Sequence, residues 1–184
     1  MFGMIHRSLE ALIIAQYGSQ TWDIIKYKAD IDTDVFSLFE NYPDEYMHKL
    51  YQAATQVLSI SSNDLSFMFG KHWYHYSVSE GFKELLQSTG DDLWTFIANL
   101  NELHQQIENV FAGMKPPIFS CSDVKDKSLV LHYSSSREGF AYVVIGAIEE
   151  IAKQFNTPVS IKRLDYRENG AEHDTFLITK LDVL

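Results

Sequence analysis

The sequence predicts an α+β fold: a helical N-terminal half followed by an antiparallel sheet with one crossing helix. Two observations carry this. Up to about residue 111 the apolar side chains recur at the three-and-four spacing of buried helix faces, and from Ile118 onward they alternate with the period of two of a half-buried strand, interrupted once at 138–155. The length of 184 residues, 46% of them hydrophobic, fits one domain with a large core, so 1–184 is expected to fold as a unit.

Taken in order, Ile5, Leu9, Leu12 and Ile13 trace a helix from Ile5 to Tyr17 that Gly18 ends, and a short helix covers Thr21 to Tyr27. An acidic linker and a turn at Tyr42-Pro43-Asp44 lead into a helix starting at Pro43, with Met47, Leu50, Tyr51, Ala54 and Leu58 on its buried side. Asn63 to Phe69 reads as a helix capped by Ser62 or Asn63, followed by an aromatic connection and a helix from Gly81 to Gln87. Asp91 to Gly113 reads as one long helix, started by Asp91 and Asp92 and stopped by Gly113, Pro116 and Pro117. Its stripe of Leu93, Phe96, Ile97, Leu100, Ile107 and Phe111 contains His104, which therefore points inward.

Two alternating runs, at 118–123 and 128–134, flank the polar turn 124–127 as a hairpin. Glu138 to Phe155 is long and periodic enough for a helix despite Val143 and Val144. The runs at 159–167 and 174–183 alternate around Asn169-Gly170, a strong hairpin turn.

A net charge of -10 without a dense Lys/Arg cluster repels phosphate backbones, which disfavours nucleic acid as a partner and leaves a basic or neutral protein surface as the better one. The single cysteine, Cys121, allows neither an intrachain disulfide nor a cysteine metal cluster, and reads as a small buried hydrophobe in a reducing compartment. No run of apolar residues is long enough for a membrane span, and the N-terminus reads as a folded helix rather than an export signal, so the chain is expected to be soluble and cytoplasmic. No glycine-rich phosphate loop, nucleophile elbow or zinc-protease motif is present, which leaves hydrolase and transferase readings without support. His72 and His75 lack further ligands at metal spacing, and His6, His48, His132 and His173 read as exposed or strand-edge.

The chemistry concentrates at His104, at Pro117 thirteen residues later, and at Tyr133, Ser135 and Arg137 at the end of the second strand. A neutral imidazole facing an apolar interior is either a core histidine or the ligand of a buried metal or haem. Hydroxyls and a guanidinium at alternating positions of an extended segment clamp carboxylates. An apolar cavity, one axial nitrogen and a carboxylate clamp are what haem needs. The plain alternatives stay open for each residue: a turn proline, a surface salt bridge, a core histidine.

In Tyr133-x-Ser135-x-Arg137, in His104 of NLNELH, in the KPP segment with Pro117 and in the N-terminal MFGMI, the sequence resembles the H-NOX family over essentially its whole length. These are the haem nitric oxide/oxygen-binding domains found as stand-alone bacterial proteins and as the sensor domain of soluble guanylate cyclase. The resemblance implies haem b (iron protoporphyrin IX) buried between the halves, with 1–90 as the distal helical part and 91–184 as the proximal helix plus sheet. It implies His104 as proximal iron ligand, Tyr133, Ser135 and Arg137 as the propionate site, and Pro117 pressing on the porphyrin. Ile5 and Val144, with Trp73, would wall the distal pocket. Tyr142, five residues after Arg137, would be a phenol donor that lets dioxygen bind besides nitric oxide and carbon monoxide, unless it is only a core aromatic.

The implied function is a haem-based gas sensor without catalytic activity. Nitric oxide at ferrous iron would weaken the iron-histidine bond and shift the central helix, signalling to a separate histidine kinase or cyclic-di-GMP enzyme. Two rivals remain: a peroxidase-like haem enzyme, for which only His6 offers an acid-base group, and an apo binding module for an acidic ligand, which would not need His104.

Overall fold

The computed structural model describes residues 1–111 and 113–182, and the expected strand end at Val183 lies outside them. The N-terminal half is built from α1 (Gly3–Tyr17), α2 (Ser19–Lys28), α3 (Asp44–Leu58), α4 (Ser62–Ser77) and α5 (Lys83–Ser88). Pro43 is the residue before α3 rather than its first turn, and Asp44 and Glu45 occupy that turn, where negative charge suits the helix dipole. Ser61 caps α4, one residue earlier than expected: its Oγ accepts the Asp64 N–H at 3.0 Å and its hydroxyl donates to the Asp64 carboxylate at 2.6 Å.

The aromatic connection expected after Phe69 is instead a continuation of α4. Phe69, Trp73 and Tyr76 keep helical spacing, and the helix crosses α8 (Ala141–Gln154) with the two backbones in contact. A Cβ on Gly70 would lie 2.1 Å from the Val143 carbonyl oxygen, and one on Gly146 would lie 2.2 Å from that of Phe67, so only glycine permits the crossing. A wide π-type turn, Val78–Phe82, with Gly81 at φ 97°, then leads into α5.

The expected long helix over 91–113 is two helices, α6 (Leu93–Ala98) and α7 (Leu100–Val110), which break at Asn99. The cause is tertiary: the Asn99 amide donates to the Thr89 carbonyl at 2.8 Å, and Asn99 itself adopts φ -92°, ψ 1°. Asp92 caps α6 as expected, accepting the N–H groups of Trp94 and Thr95 at 2.8 and 3.2 Å.

Strands β1 (Ile118–Ser122), β2 (Ser128–Ser134), β3 (Val159–Asp165) and β4 (Asp174–Lys180) form one antiparallel sheet in the order β1-β2-β4-β3, with both hairpins where the alternation places them. Two apolar cores result. One, around Leu9, Ile13, Ile25, Phe36 and Leu50, joins the N-terminal helices; the other, around Phe96, Leu131, Ile148, Phe176 and Ile178, joins α6, α7, α8 and the sheet. Phe140 packs against both.

Two of the histidines read as exposed or strand-edge are neither. His6 is fully buried in the N-terminal core, stacked on Phe36 at 4.5 Å and edge-on to Tyr42. His132 is half-buried on β2, an internal strand. Among the described residues no helix is long and apolar enough to cross a membrane.

Candidate functional site

Between the two cores lies a cavity of about 240 Å³. The N-terminal stretch with Met4 and Ile5, α4 with Phe69 and Trp73, the turn and α5 with Phe82 and Leu85, α7 with Leu103 and Ile107, and α8 with Val143, Val144, Ala147 and Ile148 make an almost wholly apolar wall. Among the described wall residues the only charged side chains are those of Lys115 and Arg137, and no carboxylate is present. Such a slot suits a large apolar ligand with anionic groups at one edge.

His104 is on this wall because α7 repeats its apolar positions at Leu100, Leu103 and Ile107, one turn to either side. Its ring stacks on Phe119 with centroids 5.3 Å apart. Burial pushes its pKa down to about 4, against a small raising effect of the Leu100 carbonyl one turn earlier. The imidazole is therefore neutral at any physiological pH, and Nδ1 is buried without a formed hydrogen bond. The Leu100 carbonyl is close enough to influence Nδ1 but outside hydrogen-bond geometry. A neutral ring that borders dry space is chemically a ligand in waiting.

The other motif residues converge on the same cavity. Pro117 is on its wall next to Pro116. Tyr133 is buried, its ring 5.4 Å from Phe119, and burial pushes its phenol pKa up although a bond to Ser135 works the other way. Ser135 Oγ accepts the Arg137 backbone N–H at 3.1 Å, which folds the segment back after β2. The Arg137 guanidinium donates to the Lys115 carbonyl at 2.8 Å and to the Asp44 carboxylate at 3.0 Å through Nε.

Asp44 was not foreseen: it comes from the first turn of α3, across the gap between the cores, and a separation of 93 residues leaves no local signal of the pairing. Burial would raise its pKa, but bonds from the chain's amino group and Arg137 outweigh that and hold it low. Phe140, Val143 and Ala147 are further wall residues that the motifs did not name.

Ile5, Trp73 and Val144 stand on the wall as expected, and Tyr142 does not. The α8 face turned to the cavity runs through Val143, Val144, Ala147, Ile148 and Ile151, and one residue along a helix is a rotation of roughly 100°. Tyr142 accordingly projects towards β3, where its ring lies 6.0 Å from the Arg163 guanidinium. Counting five residues after Arg137 places the tyrosine off the pocket, so the expected phenol donor is corrected. Elsewhere His75 pairs with Glu150 at 3.0 Å, His48 is exposed, and Cys121 is half-buried against the sheet core with its thiol pKa pushed up by burial.

A family model described as Haem-NO-binding matches residues 2–163. The chain is 30% identical to the soluble guanylate cyclase gcy-32 of Caenorhabditis elegans over 98% of its own length and 28% of that protein's. The similarity to gcy-31 of the same organism is also 30%, over 95% of this chain and 24% of the relative. The chain thus spans about a quarter of the curated relatives it matches. In fold it is similar to an H-NOX protein from S. oneidensis crystallised in the Fe(II)NO state, with a TM-score of 0.90, 20% identity, and 99% and 100% of the two chains covered. The unliganded Fe(II) H-NOX protein from K. algicida superposes with a TM-score of 0.87 at 21% identity, covering 100% of this chain and 98% of that one.

Proposed function

Because the chain belongs to the Haem-NO-binding family, whose modules hold haem and sense diatomic gases without being enzymes themselves, we propose that it is a nitric oxide sensor with His104 as the iron's protein ligand. The observation that carries this reading is the placement of a neutral histidine inside an apolar cavity whose only charged wall residues are cations. A pocket for a simple acidic or lipid ligand would need the cations and not the histidine. When bound, haem would supply a ferrous iron able to take a diatomic gas.

The chain's own residues have distinct roles in this reading. His104 offers a nitrogen lone pair from a ring that burial keeps unprotonated. Tyr133, Ser135 and Arg137 hold carboxylates at the rim, where Arg137 trades part of its bond to Asp44 for them, and charge-assisted bonds of this kind contribute about 1.5–3 kcal/mol. Pro117 presents a rigid ring to whatever fills the cavity, since its backbone torsion cannot relax. The outer face of α7, with Glu102, Gln105, Glu108 and Val110, is exposed, so a shift of His104 reaches the surface along one helix. The output protein is a histidine kinase or a cyclic-di-GMP enzyme.

The wall also speaks to which gas is favoured. With Tyr142 turned away, Ser77 donates its hydroxyl to the Trp73 carbonyl at 2.8 Å, and the Tyr74 phenol lies near the Glu150 charge, which with burial pushes its pKa up. The Ser77 hydroxyl is thereby engaged, and the Tyr74 phenol and the Trp73 indole N–H are the remaining side-chain donors on the α4 wall. Dioxygen needs such a donor far more than nitric oxide does. With Tyr142 off the wall and the Tyr74 phenol under the influence of the Glu150 charge, the ferrous protein is expected to keep its visible spectrum in air and to shift its Soret band with nitric oxide. A shift in air that Trp73→Phe or Tyr74→Phe removes would overturn the selectivity, and no response to nitric oxide would overturn the function.

A further inference from the structure

The cavity uses one face of the sheet; the other face carries a cluster of its own. Phe119 and Tyr133, paired across β1 and β2, line the cavity, so the flanking pairs Ser120 with His132 and Ile118 with Ser134 project to the opposite side. Thr175 is opposite His132 in the register, which puts His173, two residues earlier, diagonally beside His132 on that outer face. Ser122 flanks His132 on the other diagonal. The three side chains form a line: Ser122 Oγ is 2.7 Å from His132 Nε2, and His132 Nδ1 is 2.9 Å from His173 Nε2. Both histidines are half-buried and border a second cavity of about 220 Å³.

We propose that these two imidazoles form a site for one divalent cation of the nickel or copper type, held by His132 Nδ1 and His173 Nε2. Two nitrogens, each about 2.0–2.1 Å from an ion, stand roughly 2.9 Å apart at the right angle of octahedral or square-planar neighbours and roughly 3.3–3.4 Å apart at the tetrahedral angle zinc prefers. The two nitrogens now stand 2.9 Å apart as hydrogen-bond partners, so the first spacing is reached by turning the rings without separating them. A metal-bound imidazole donates its other N–H to a nearby oxygen, and Ser122 Oγ stands where the His132 Nε2–H needs an acceptor. With that proton placed, Nδ1 keeps its lone pair. His173 then carries its proton on Nδ1, a change of tautomer with no change of charge.

Turning both lone pairs onto one ion requires the rings to rotate, and His173 precedes β4 outside the paired ladder, where its backbone is free of strand hydrogen bonds. Among the described residues no third His, Cys, Asp or Glu converges with the pair, so water completes the coordination and the ion exchanges with solvent. This site is independent of the haem reading.

Calorimetric titration of the haem-loaded protein with Ni²⁺ tests it. The parent and His48→Ala should both take up one equivalent that His173→Ala and His132→Ala lose. Ser122→Ala should bind about tenfold more weakly, as loss of an outer hydrogen-bond partner does. Zn²⁺ should bind the parent less tightly than Ni²⁺. Equal nickel uptake by the parent and His173→Ala overturns the site, as does no uptake by the parent, and tighter zinc than nickel overturns the geometry. His173→Ala decides the matter should His132→Ala, inside β2, disturb the strand.

Discussion

The surroundings of His6 and His104 are alike in one respect and opposite in another. Burial depresses both rings to a pKa of about 4. His6 is sealed between Phe36 and Tyr42 in the N-terminal core, with Nδ1 3.2 Å from the Phe2 carbonyl and Nε2 buried without a partner. His104 has Phe119 on one side and open cavity on the other. A low pKa therefore marks dryness, and dryness alone does not make a ligand. Space beside the ring, and cations at the edge of that space, separate the two.

The comparison breaks most sharply on haem content. His104→Leu should reduce bound haem from one per chain to almost none, while His6→Leu should keep a full complement, both read from the Soret absorbance of purified protein. Equal loss in the two variants would mean that His104 contributes packing and nothing more. The cationic rim comes next: Arg137→Ala should speed haem transfer to apomyoglobin by an amount equivalent to about 1.5–3 kcal/mol, since a charge-assisted carboxylate contact is lost. No change in the transfer rate would remove Arg137 from the site.

His6 should announce itself in stability instead. A ring whose folded pKa lies below its unfolded value of about 6.5 takes up a proton on unfolding, so its stabilisation is complete above pH 6.5 and is lost as pH falls towards 4. At pH 5 the loss amounts to about 2 kcal/mol. Urea unfolding of the haem-loaded protein at pH 7 and pH 5 should show a loss to which His104 also contributes, and His6→Leu should remove about 2 kcal/mol of it. The smallest effect belongs to Tyr142→Phe, which should leave the ferrous spectrum in air and the nitric oxide complex unchanged. A spectral change in air would return Tyr142 to the pocket.

What could be read from the chain follows from which forces were local. Both hairpins announce themselves through alternation and through Asn169-Gly170, with Gly170 at φ 94°, because a strand's faces and a turn's torsions are written in a few adjacent residues. The motif residues His104, Pro117, Tyr133, Ser135 and Arg137 meet at one cavity, as their order along the chain implied.

The failures are all tertiary. Asn99 breaks a periodic helix because its amide is drawn to Thr89. The run from Gly70 to Ser77 stays helical because α8 lies against it, and Gly70 and Gly146 permit so close a crossing. His6 looked polar on its helix because nothing nearby in sequence reveals that Phe36 covers it. Tyr142 missed the pocket by a single helical step, a difference that counting along a chain cannot see.

The central claim is that His104 is the iron's ligand from the protein, and replacing it with glycine tests this most directly. The His104→Gly protein, purified with and without free imidazole, should hold haem only when imidazole is supplied, and the resulting ferrous spectrum should match that of the parent because an imidazole again stands in the space the side chain left. Full haem content and an unchanged ferrous spectrum without imidazole would contradict the account.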